Sequence, residues 1–474
     1  RLEGEVIYDD FKHIHKKTFS TDEVIENYIK QVLFKITQGG NNFYISKSFW
    51  KDATHYTELP TAPLMNKADK ISYSIINPDF DEAEPVCGDN PMTVERDLGA
   101  AMADWCKVNS YRTVDFNPSL HRVENTEVFN LFEGYRFPYE ECKMEEPPEI
   151  IKPFIDHIGT TICRGNQKMA KTTLQWFAHI IQRPTVKPYA MIILGKQGNG
   201  KSLVYELFKR CIGEGLAIQF TKLSDLTQTH NKIVRGRLLV NCNEATNYPT
   251  MADVNVMKAF ITDTELLVNP KCCPLYYVSN YARVLITTNC RFAMRLTPDD
   301  RRYFCLESSP ANIGNDEYYA PLVAGLTDET FLKELFLFLA NFDLSDFKHQ
   351  RPPMTPLKRE MIGHQLPDLV YFVRDVCENC RYDIAFEADK KEMTVSMDDL
   401  YVSYKNWCSG EEIKPKDKRE FGRELTEFGP KDGNGVKFVR ETLLTHFKYL
   451  YANEDFEFVV VQADEDKEDE DKEE

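Results

Sequence analysis

The turn at residues 195–202 has the residue types and the spacing of a phosphate-binding loop. It reads GKQGNGKS, which fits the pattern G-x-x-x-x-G-K-[ST]. Its glycines allow successive backbone N–H groups to point at one anion. Lys201 would neutralise the β- and γ-phosphates of a nucleotide, and the Ser202 hydroxyl would hold Mg²⁺. The residues predicted to bind nucleotide are Gly195, Lys196, Gln197, Gly198, Asn199, Gly200, Lys201 and Ser202.

Two elements must flank this loop if it is to bind phosphate. The apolar run at residues 190–194 has the length of a buried strand. After the loop, Leu203, Leu207 and Phe208 recur at helical spacing until Gly213, a residue that favours the end of a helix. The amino end of that helix would add its positive dipole to the anion site. This order of strand, loop and helix makes an ordinary glycine turn the weaker interpretation.

A carboxylate follows the next apolar strand of the sequence. Residues 237–242 read RLLVNC, and Asn243 and Glu244 come directly after them. In an α/β unit that binds a nucleotide, an acid at such a strand end is placed to coordinate Mg²⁺ or to activate water. We therefore predict that Glu244 is the catalytic base and, with Ser202, a Mg²⁺ ligand. The alternative is a strand-end glutamate exposed to solvent, and Asn243 stands where such enzymes often have a second acid.

Further polar residues border two later strands. Residues 282–288 predict a strand, and the amide of Asn289 after it is placed to orient water against a γ-phosphate. Arg301 and Arg302 come just ahead of another short strand. Arginine is the residue that stabilises phosphoryl-transfer charge from a neighbouring subunit. We predict this role for Arg302, with Arg301 as the alternative; a surface salt-bridge pair is the simpler interpretation of either.

Composition limits the compartment but does not exclude DNA as a partner. The chain has 474 residues and a net charge of −17. Nine acids and two lysines fill residues 464–474, which indicates a disordered tail, and a local basic surface elsewhere suffices for nucleic acid. No apolar run approaches the ~20 residues of a membrane helix, and no signal-peptide pattern opens the sequence. Thirteen cysteines without regular spacing favour an intracellular, reducing compartment, cytoplasm or nucleus.

Five motifs, in this order within residues 195–304, resemble those of superfamily 3 helicases. They are GKQGNGKS (Walker A), LLVNCNEA (Walker B), MKAFITDTELLVNPK (B′), LITTN (sensor) and DDRRYF (arginine finger). The lead-in WFAHIIQRPTVKP and the NEA after the second motif are most similar to phage and large-DNA-virus primase-helicases, a group that includes the poxvirus primase-helicase. The order of the five motifs makes this resemblance more specific than the phosphate loop alone.

The resemblance implies an α/β fold with an AAA+ type P-loop ATPase core. It implies a homo-hexameric ring that hydrolyses ATP with Mg²⁺ and moves 3′ to 5′ along single-stranded DNA. Lys271 matches the basic residue of a hairpin that projects into the ring channel, and Lys258 is a weaker DNA-binding candidate. Tyr276 and Tyr277 of the same hairpin either stack on bases or pack within their strand. The residues that match catalytic positions of the family are Glu244, Asn289, Arg302 and, as an alternative, Arg301.

The chain is predicted to contain several regions. We predict an α+β N-terminal region of unknown role at residues 1–145 with helices near 20–37 and 90–107, an ATPase domain at 146–345, a helical C-terminal domain at 346–455 and an acidic tail at 456–474. In the C-terminal domain, amphipathic helices and a short strand pair near residues 436–439 resemble a winged helix. Its basic residues would contact phosphate or a groove, unless they form a solvated helix face: Lys416, Lys418, Arg419 and Arg423.

These patterns favour an ATP-dependent replicative DNA helicase, acting on single-stranded and forked DNA, as the motor part of a primase-helicase. A primase or polymerase, as a separate partner or a fused upstream domain, is then expected. One alternative is a ring ATPase that packages or remodels DNA without unwinding it. Another is a replication initiator in which nucleotide only drives assembly. Single-stranded DNA that stimulates ATP turnover would separate the motor from the initiator.

Overall fold

The computed structural model describes most of the chain and divides it into two compact units. One unit lies within residues 1–293 and 301–352, and the other within residues 294–300 and 353–474. Among the helices described, none has the length and apolar character that crossing a bilayer requires. The described residues are 14, 16–38, 41–50, 53–68, 72–77, 92–105, 110–119, 127–140, 146–221, 234–243, 251–270, 272–291, 294–364, 366–378, 386 and 390–458.

The first unit begins with an α+β region. Its strands form a four-stranded sheet in the order β4-β3-β2-β7, a three-stranded sheet in the order β1-β5-β6 and the pair β8-β9. The elements are β1 (Thr18–Phe19), α1 (Asp22–Val32), β2 (Leu33–Gln38), β3 (Asn41–Trp50), β4 (Ala53–Pro60), α2 (Thr61–Ala68), β5 (Ser72–Ile76), β6 (Thr93–Asp97), α3 (Leu98–Trp105), β7 (Ser110–Tyr111), β8 (Thr113–Asp115) and β9 (Val128–Asn130).

Both helices predicted in this region are shorter than expected, because strand pairing replaces one end of each. The helix predicted near residues 20–37 ends at Val32, and β2 then pairs antiparallel with β3. The helix predicted near residues 90–107 begins only at Leu98, since β6 pairs antiparallel with β5. β3 is the next strand along the chain and β5 is the strand before β6, and in both cases the strand pairing overrides local helical propensity.

The rest of the first unit is built on a parallel sheet. Its elements are a 3-10 helix (Glu149–Ile151), α4 (Lys152–Asp156), a π-helix (His157–Ile162), α5 (Gln167–Gln182), β10 (Ala190–Leu194), α6 (Lys201–Ile212), a 3-10 helix (Glu214–Leu216), β11 (Ala217–Phe220), β12 (Leu239–Asn243), α7 (Met251–Thr262), β13 (Glu265–Val268), β14 (Tyr276–Ser279), β15 (Arg283–Thr288), β16 (Tyr303–Glu307), α8 (Asp316–Gly325) and α9 (Glu329–Ala340).

This sheet places the predicted site residues along one edge. Its order is β11-β12-β15-β10-β16 with every neighbouring pair parallel, so the strands, counted along the chain, lie in the order 2-3-4-1-5. All residues of β10 are buried, and α5 and α6 both pack against α9. The strand at residues 190–194 and the helix after the loop are confirmed. Since parallel strands end at a common edge, the ends of β10, β12, β15 and β16 converge.

The second unit has helices around a small antiparallel sheet in the order β17-β19-β18. Its core contains buried aromatic residues, among them Phe372, Tyr404 and Phe421, where the Tyr404 and Phe421 rings stack with centroids 4.6 Å apart. The predicted strand near residues 436–439 is confirmed as β19. The elements are α10 (Pro356–Gly363), α11 (Asp368–Glu378), β17 (Glu392–Ser396), α12 (Met397–Gly410), α13 (Lys418–Leu425), β18 (Lys431–Asp432), β19 (Gly435–Val439) and α14 (Arg440–Leu450).

Candidate functional site

The loop between β10 and α6 has backbone geometry that only glycine adopts readily. Gly198 has φ +82° and Gly200 has φ +79°, both in the left-handed region. At Gly195 the limit is space, because an added Cβ would lie 1.9 Å from Ser308 Oγ and 2.1 Å from Asn199 Nδ2. Two of the three glycines in the pattern therefore allow the turn of the backbone, and the third allows close packing against Ser308 and Asn199.

Lys201 lies at the centre of the loop and is held by oxygens. Its Nζ donates to the backbone oxygens of Gly195 at 2.7 Å and Lys196 at 2.9 Å. It also donates to Asn199 Oδ1 at 2.9 Å and to Asn289 Oδ1 at 3.0 Å. The side chain is only 6% exposed. This buried ammonium group is a charged donor from which a phosphate oxygen bound in the loop would accept a hydrogen bond.

The predicted loop residues differ in their exposure to solvent. Lys196, Gln197, Gly198 and Ser202 are exposed, whereas Asn199 is buried. Because Ser202 lies in the first turn of α6, its hydroxyl is at the positive end of that helix. An exposed rim over a buried lysine leaves the loop open to an anion from the solvent side.

Ser308, which sequence reasoning missed, supports the loop from the neighbouring strand. It follows β16 directly, and its N–H and its Oγ both donate to the Leu194 backbone oxygen at 2.8 Å. Asn199 Nδ2 donates in turn to Ser308 Oγ. Ser308 therefore orients Asn199, which orients Lys201. The one available signal was a small polar residue immediately after a buried apolar strand.

His157 lies against the other side of the loop. Its ring is buried, with Nε2 3.4 Å from the Gly200 backbone oxygen and Nδ1 3.1 Å from the Tyr318 hydroxyl. Burial lowers the pKa of His157 to about 4, so the ring is neutral at pH 7. The π-helix that carries it packs a titratable ring against the loop, a placement that helical periodicity does not reveal.

The ends of β12 and β15 bring further polar side chains to the same edge. Asn243 Oδ1 accepts a hydrogen bond of 3.0 Å from Thr287 Oγ1, across the register that pairs these two residues. Asn289, the predicted sensor, follows β15 and reaches Lys201 Nζ. Asn243 thus binds its neighbouring strand through an acceptor oxygen. Glu244, the predicted catalytic base, lies outside the described residues.

Glu307 joins two arginines at this edge, a cluster that the sequence did not suggest. Its carboxylate accepts from Arg164 Nη1 at 3.1 Å and from Arg291 Nη1 at 2.9 Å. Arg164 lies just after the π-helix, Arg291 lies just after β15, and Glu307 ends β16. All three are partly exposed, so the ion pairs contribute little stability, and they mainly fix the positions of the loops around the site.

Arg301 and Arg302 lie at the opposite edge of the sheet. Tyr303 pairs with Ala190 at the start of β10, whereas Glu307 pairs with Leu194 at its end. The Arg302 backbone oxygen accepts from Ala190 N–H at 2.7 Å. The backbone rise from Arg302 to Glu307 spans roughly 16 Å at about 3.3 Å per residue. The fold therefore separates Arg302 from the phosphate loop of its own chain.

The predicted DNA-binding residues of the first unit are only partly described. Tyr276 is buried, which supports strand packing, whereas Tyr277 is 59% exposed. Lys258 is half-buried on α7, and Lys271 lies outside the described residues. Among the hairpin tyrosines, the base-stacking hypothesis therefore applies to Tyr277 alone.

Among the predicted DNA-binding residues of the second unit, two lysines are in ion pairs and two arginines are exposed. Lys416 Nζ lies 2.6 Å from Glu424 Oε2, and Lys418 forms an ion pair with Asp398. Arg419 and Arg423 are exposed one helical turn apart on α13. Together with Lys431 of β18, these two arginines line an open surface groove, which Lys418, Asp417 and Glu420 also border. Four basic and two acidic side chains thus line the groove, so the charge of its lining is positive on balance.

The sequence of this chain is similar to that of a phage replication protein. Residues 193–302 match a family of unknown function, DUF5906. The chain is 27% identical over 194 residues to the DNA primase-polymerase of Nitratiruptor phage NrS-1. That match covers 40% of this chain and 26% of the phage protein, so the chain spans about a quarter of this curated relative.

Solved structures of the NrS-1 C-terminal region have a similar fold. The apo structure of residues 305–718 aligns with a TM-score of 0.60 and 17% identity, covering 87% of this chain and 97% of that one. An A-form apo structure aligns with a TM-score of 0.58 and 17% identity, covering 87% and 98%. The fold is mixed α/β and is similar to the C-terminal region of this phage primase-polymerase.

Proposed function

We propose that the chain is an ATP-driven motor for DNA replication, a helicase of the superfamily 3, AAA+ type that acts on single-stranded and forked DNA. The replication role is supported by the similarity to a phage DNA primase-polymerase. The motor is supported by the likeness to the C-terminal region of that protein and by the five ordered motifs. An intracellular, reducing setting, the host cytoplasm or nucleus for a viral protein, belongs to the same proposal.

One observation carries the proposal. Lys201 Nζ is directed into a glycine loop at the carboxyl edge of a parallel sheet, where it meets the sensor residue Asn289 at 3.0 Å. The sheet order 2-3-4-1-5 supports an AAA+ type core. In open parallel sheets, ligands bind at the carboxyl ends of the strands, and a helix that begins at the loop adds N–H donors for phosphate.

ATP and Mg²⁺ fit the residues that are present. The positive φ of Gly198 and Gly200 shapes a cradle that only glycine allows, and Lys201 is directed into it. Ser202, with Glu244 beyond the described residues, would hold Mg²⁺, which supplies charge neutralisation for phosphoryl transfer. Among protein groups, the loop N–H groups bind phosphate, Glu244 takes a proton from the attacking water, and Asn289 orients that water.

Arg302 supports assembly into a ring. Because roughly 16 Å of strand separates it from its own phosphate loop, the charge it offers to phosphoryl transfer serves a neighbouring subunit. A nucleotide bound between subunits would couple hydrolysis to the geometry of their interface. A homo-hexamer is the assembly that we propose, by the superfamily 3 resemblance.

DNA contacts are proposed on both units. In the first unit, Tyr277 would stack on bases, and Lys271 and Lys258 would bind phosphates. In the second unit, the order of helices and strands supports a winged helix, whose α13 and β18–β19 hairpin would bind a duplex. Arg419 and Arg423 are better placed for this contact than Lys416 and Lys418, which are already in ion pairs.

ATP turnover with and without single-stranded DNA tests the proposal. We expect stimulation of several-fold in the wild type, loss of turnover in Lys201→Ala, and nucleotide binding without hydrolysis in Glu244→Gln. Lys168→Ala, an exposed lysine on α5, is the matched control and should behave as the wild type. Full turnover in both site variants would refute the site assignment.

Two further assays separate the alternatives. Unwinding of a forked duplex by the wild type distinguishes a helicase from a ring ATPase that packages or remodels DNA. Turnover that ignores single-stranded DNA would favour a nucleotide-switched initiator. Primer synthesis or extension by this chain, with retained activity in Lys201→Ala, would favour a polymerase-type function, because the similar phage protein is a DNA primase-polymerase.

A further inference from the structure

The β13–β14 hairpin is bonded to the N-terminal region of its own chain through Asp115. The carboxylate of Asp115, the last residue of β8, accepts from Ser279 N–H at 2.7 Å and from Ser279 Oγ at 3.1 Å. Ser279 is the last residue of β14. Hydrogen bonds to a charged acceptor are about twice as strong as neutral ones. A short strand of the N-terminal region thus fixes one end of the hairpin.

A buried arginine forms a second connection. The Arg235 guanidinium donates to the Tyr276 hydroxyl of β14 and, through Nη2, to the Tyr56 backbone oxygen of β4 at 3.1 Å. Arg235 is only 8% exposed, and burial lowers the pKa of its guanidinium. A buried charge that loses a partner is costly, so this connection resists separation of the hairpin from β4.

Aromatic packing completes the attachment. Phe43 of β3 stacks on Tyr276 with ring centroids 5.6 Å apart and planes 20° apart. Both rings are buried in one core that also contains Val114 of the N-terminal region and Leu285 of the parallel sheet. The N-terminal sheet, the hairpin and the nucleotide-binding sheet therefore share a single hydrophobic core.

The opposite face of the hairpin is exposed. Tyr277 is 59% exposed, and Leu267, its directly paired partner on β13, is 40% exposed. Leu275, which precedes β14, is 54% exposed. Since strand side chains alternate between faces, holding Tyr276 inward determines the direction in which Tyr277 points. The inward contacts thus set the geometry of the outward face.

We infer that the N-terminal region is the structural support that holds this hairpin in position for single-stranded DNA, and that Asp115 is a positioning residue for the DNA contact. The inference rests on the proposed function, because it takes the exposed hairpin face as the DNA-gripping surface. It gives the N-terminal region a mechanical role, in which the hairpin moves with the body of its own subunit. Asp115 touches neither nucleotide nor DNA in this arrangement.

The test compares three variants of the full chain. Asp115→Asn removes the charge from the acceptor, and Ser279→Ala removes only the hydroxyl bond while leaving the N–H bond. Asp343→Asn is the matched control, since Asp343 likewise accepts from one serine, the N–H of Ser345 at 2.9 Å and its Oγ at 3.0 Å, in a loop after α9. The readouts are hydrogen exchange of the hairpin amides, DNA-free ATP turnover, and the concentration of oligothymidylate that gives half-maximal stimulation.

For Asp115→Asn we expect about tenfold faster exchange at the hairpin and about tenfold more oligothymidylate for half-maximal stimulation, as for loss of one charge-assisted hydrogen bond. DNA-free turnover should stay within about twofold of the wild type, and Ser279→Ala should shift both hairpin readouts in the same direction by less. Hairpin exchange no faster than in Asp343→Asn would refute the inference that the Asp115–Ser279 contact holds the hairpin. Faster exchange with an unchanged DNA response would overturn the positioning role.

A wild type that ignores oligothymidylate would refute the proposed function, and with it the DNA part of this inference. The exchange readout is independent of DNA and nucleotide, so it still decides whether Asp115 holds the hairpin. The two failures are therefore distinguishable in one set of experiments.

Discussion

Ser308→Ala should weaken nucleotide binding, although Ser308 directly follows β16 and is not part of the phosphate-binding loop. Asn199 Nδ2 donates to Ser308 Oγ, and Asn199 Oδ1 accepts from Lys201 Nζ at 2.9 Å. The substitution leaves the buried Asn199 Nδ2 without this acceptor, which costs about 1–3 kcal/mol in the free energy of the folded state. Lys201 keeps its bonds to Gly195, Lys196 and Asn289, so the displacement of its ammonium group is partial.

We expect the dissociation constant for ATP to rise about tenfold, equivalent to ~1.4 kcal/mol, well short of the loss in Lys201→Ala. The free energy of unfolding should fall by about 2–4 kcal/mol, because the buried Asn199 Nδ2 loses its acceptor and the bond from Ser308 Oγ to the Leu194 backbone oxygen is lost as well. Isothermal titration with ATP analogues and denaturant unfolding measure the two effects. Ser309→Ala is the matched control, since the neighbouring hydroxyl bonds only its own turn in the bonds described, at Ala311 N–H.

A double-mutant cycle with Asn199→Ala isolates the connection between the two side chains. If Ser308 acts through Asn199, the two substitutions should be non-additive in ATP affinity by about 1 kcal/mol. Additive effects, or an affinity in Ser308→Ala within twofold of that in Ser309→Ala, would refute the reasoning.

Three further predictions follow from the structure. Arg302→Ala should lose turnover but regain part of it when mixed with Lys201→Ala protein, because each subunit supplies what the other lacks; no regain would contradict the role in trans. Burial lowers the pKa of His179 to about 3, so between pH 6.5 and 3 this ring binds a proton in the unfolded state and not in the folded one. The contribution of His179 to the free energy of unfolding should therefore be constant above pH 6.5 and fall as the pH drops from 6.5 towards 3. His179→Phe should reduce that slope by about 1.4 kcal/mol per pH unit between pH 6 and 4.5 in unfolding titrations, and an unchanged slope would contradict it. Arg423→Gln should weaken duplex binding about threefold to tenfold at low salt and flatten its salt dependence, whereas the ion-paired Lys418→Gln should change little; equal losses would contradict this distinction.

The elements around the proposed nucleotide site could be predicted because their signals are local. Five consecutive apolar residues ending in a glycine-rich turn identify a buried strand, and Leu203, Leu207 and Phe208 identify the helix after it. The hairpin of β13 and β14 follows from two short runs around a Pro-containing turn. In each case the residues that specify the element are contiguous, so no knowledge of their partners is required.

The sequence was less informative where partners are distant. β2 replaces predicted helix because it pairs with β7, far along the chain, as well as with the neighbouring β3, and β6 replaces predicted helix because it pairs with β5. Ser308 is 109 residues from Asn199, and Asp115 is 164 residues from Ser279, so neither contact has a local signature. Lys416 and Lys418 illustrate the same point, since a basic helix start does not show that acids elsewhere already pair with its lysines.

The sequence by itself determined which functional groups the candidate site can contain. These are a glycine-rich loop, a lysine and a serine at its end, and amide and arginine residues beside later strands. These are properties of residue type and spacing, which the chain carries before it folds. Only the tertiary structure decided where those groups act. Parallel pairing of β10 with β15 and β16 brings Asn289 to Lys201 and Ser308 to Asn199, and it separates Arg302 from them, because the carboxyl ends of the strands share one edge and the amino ends share the other.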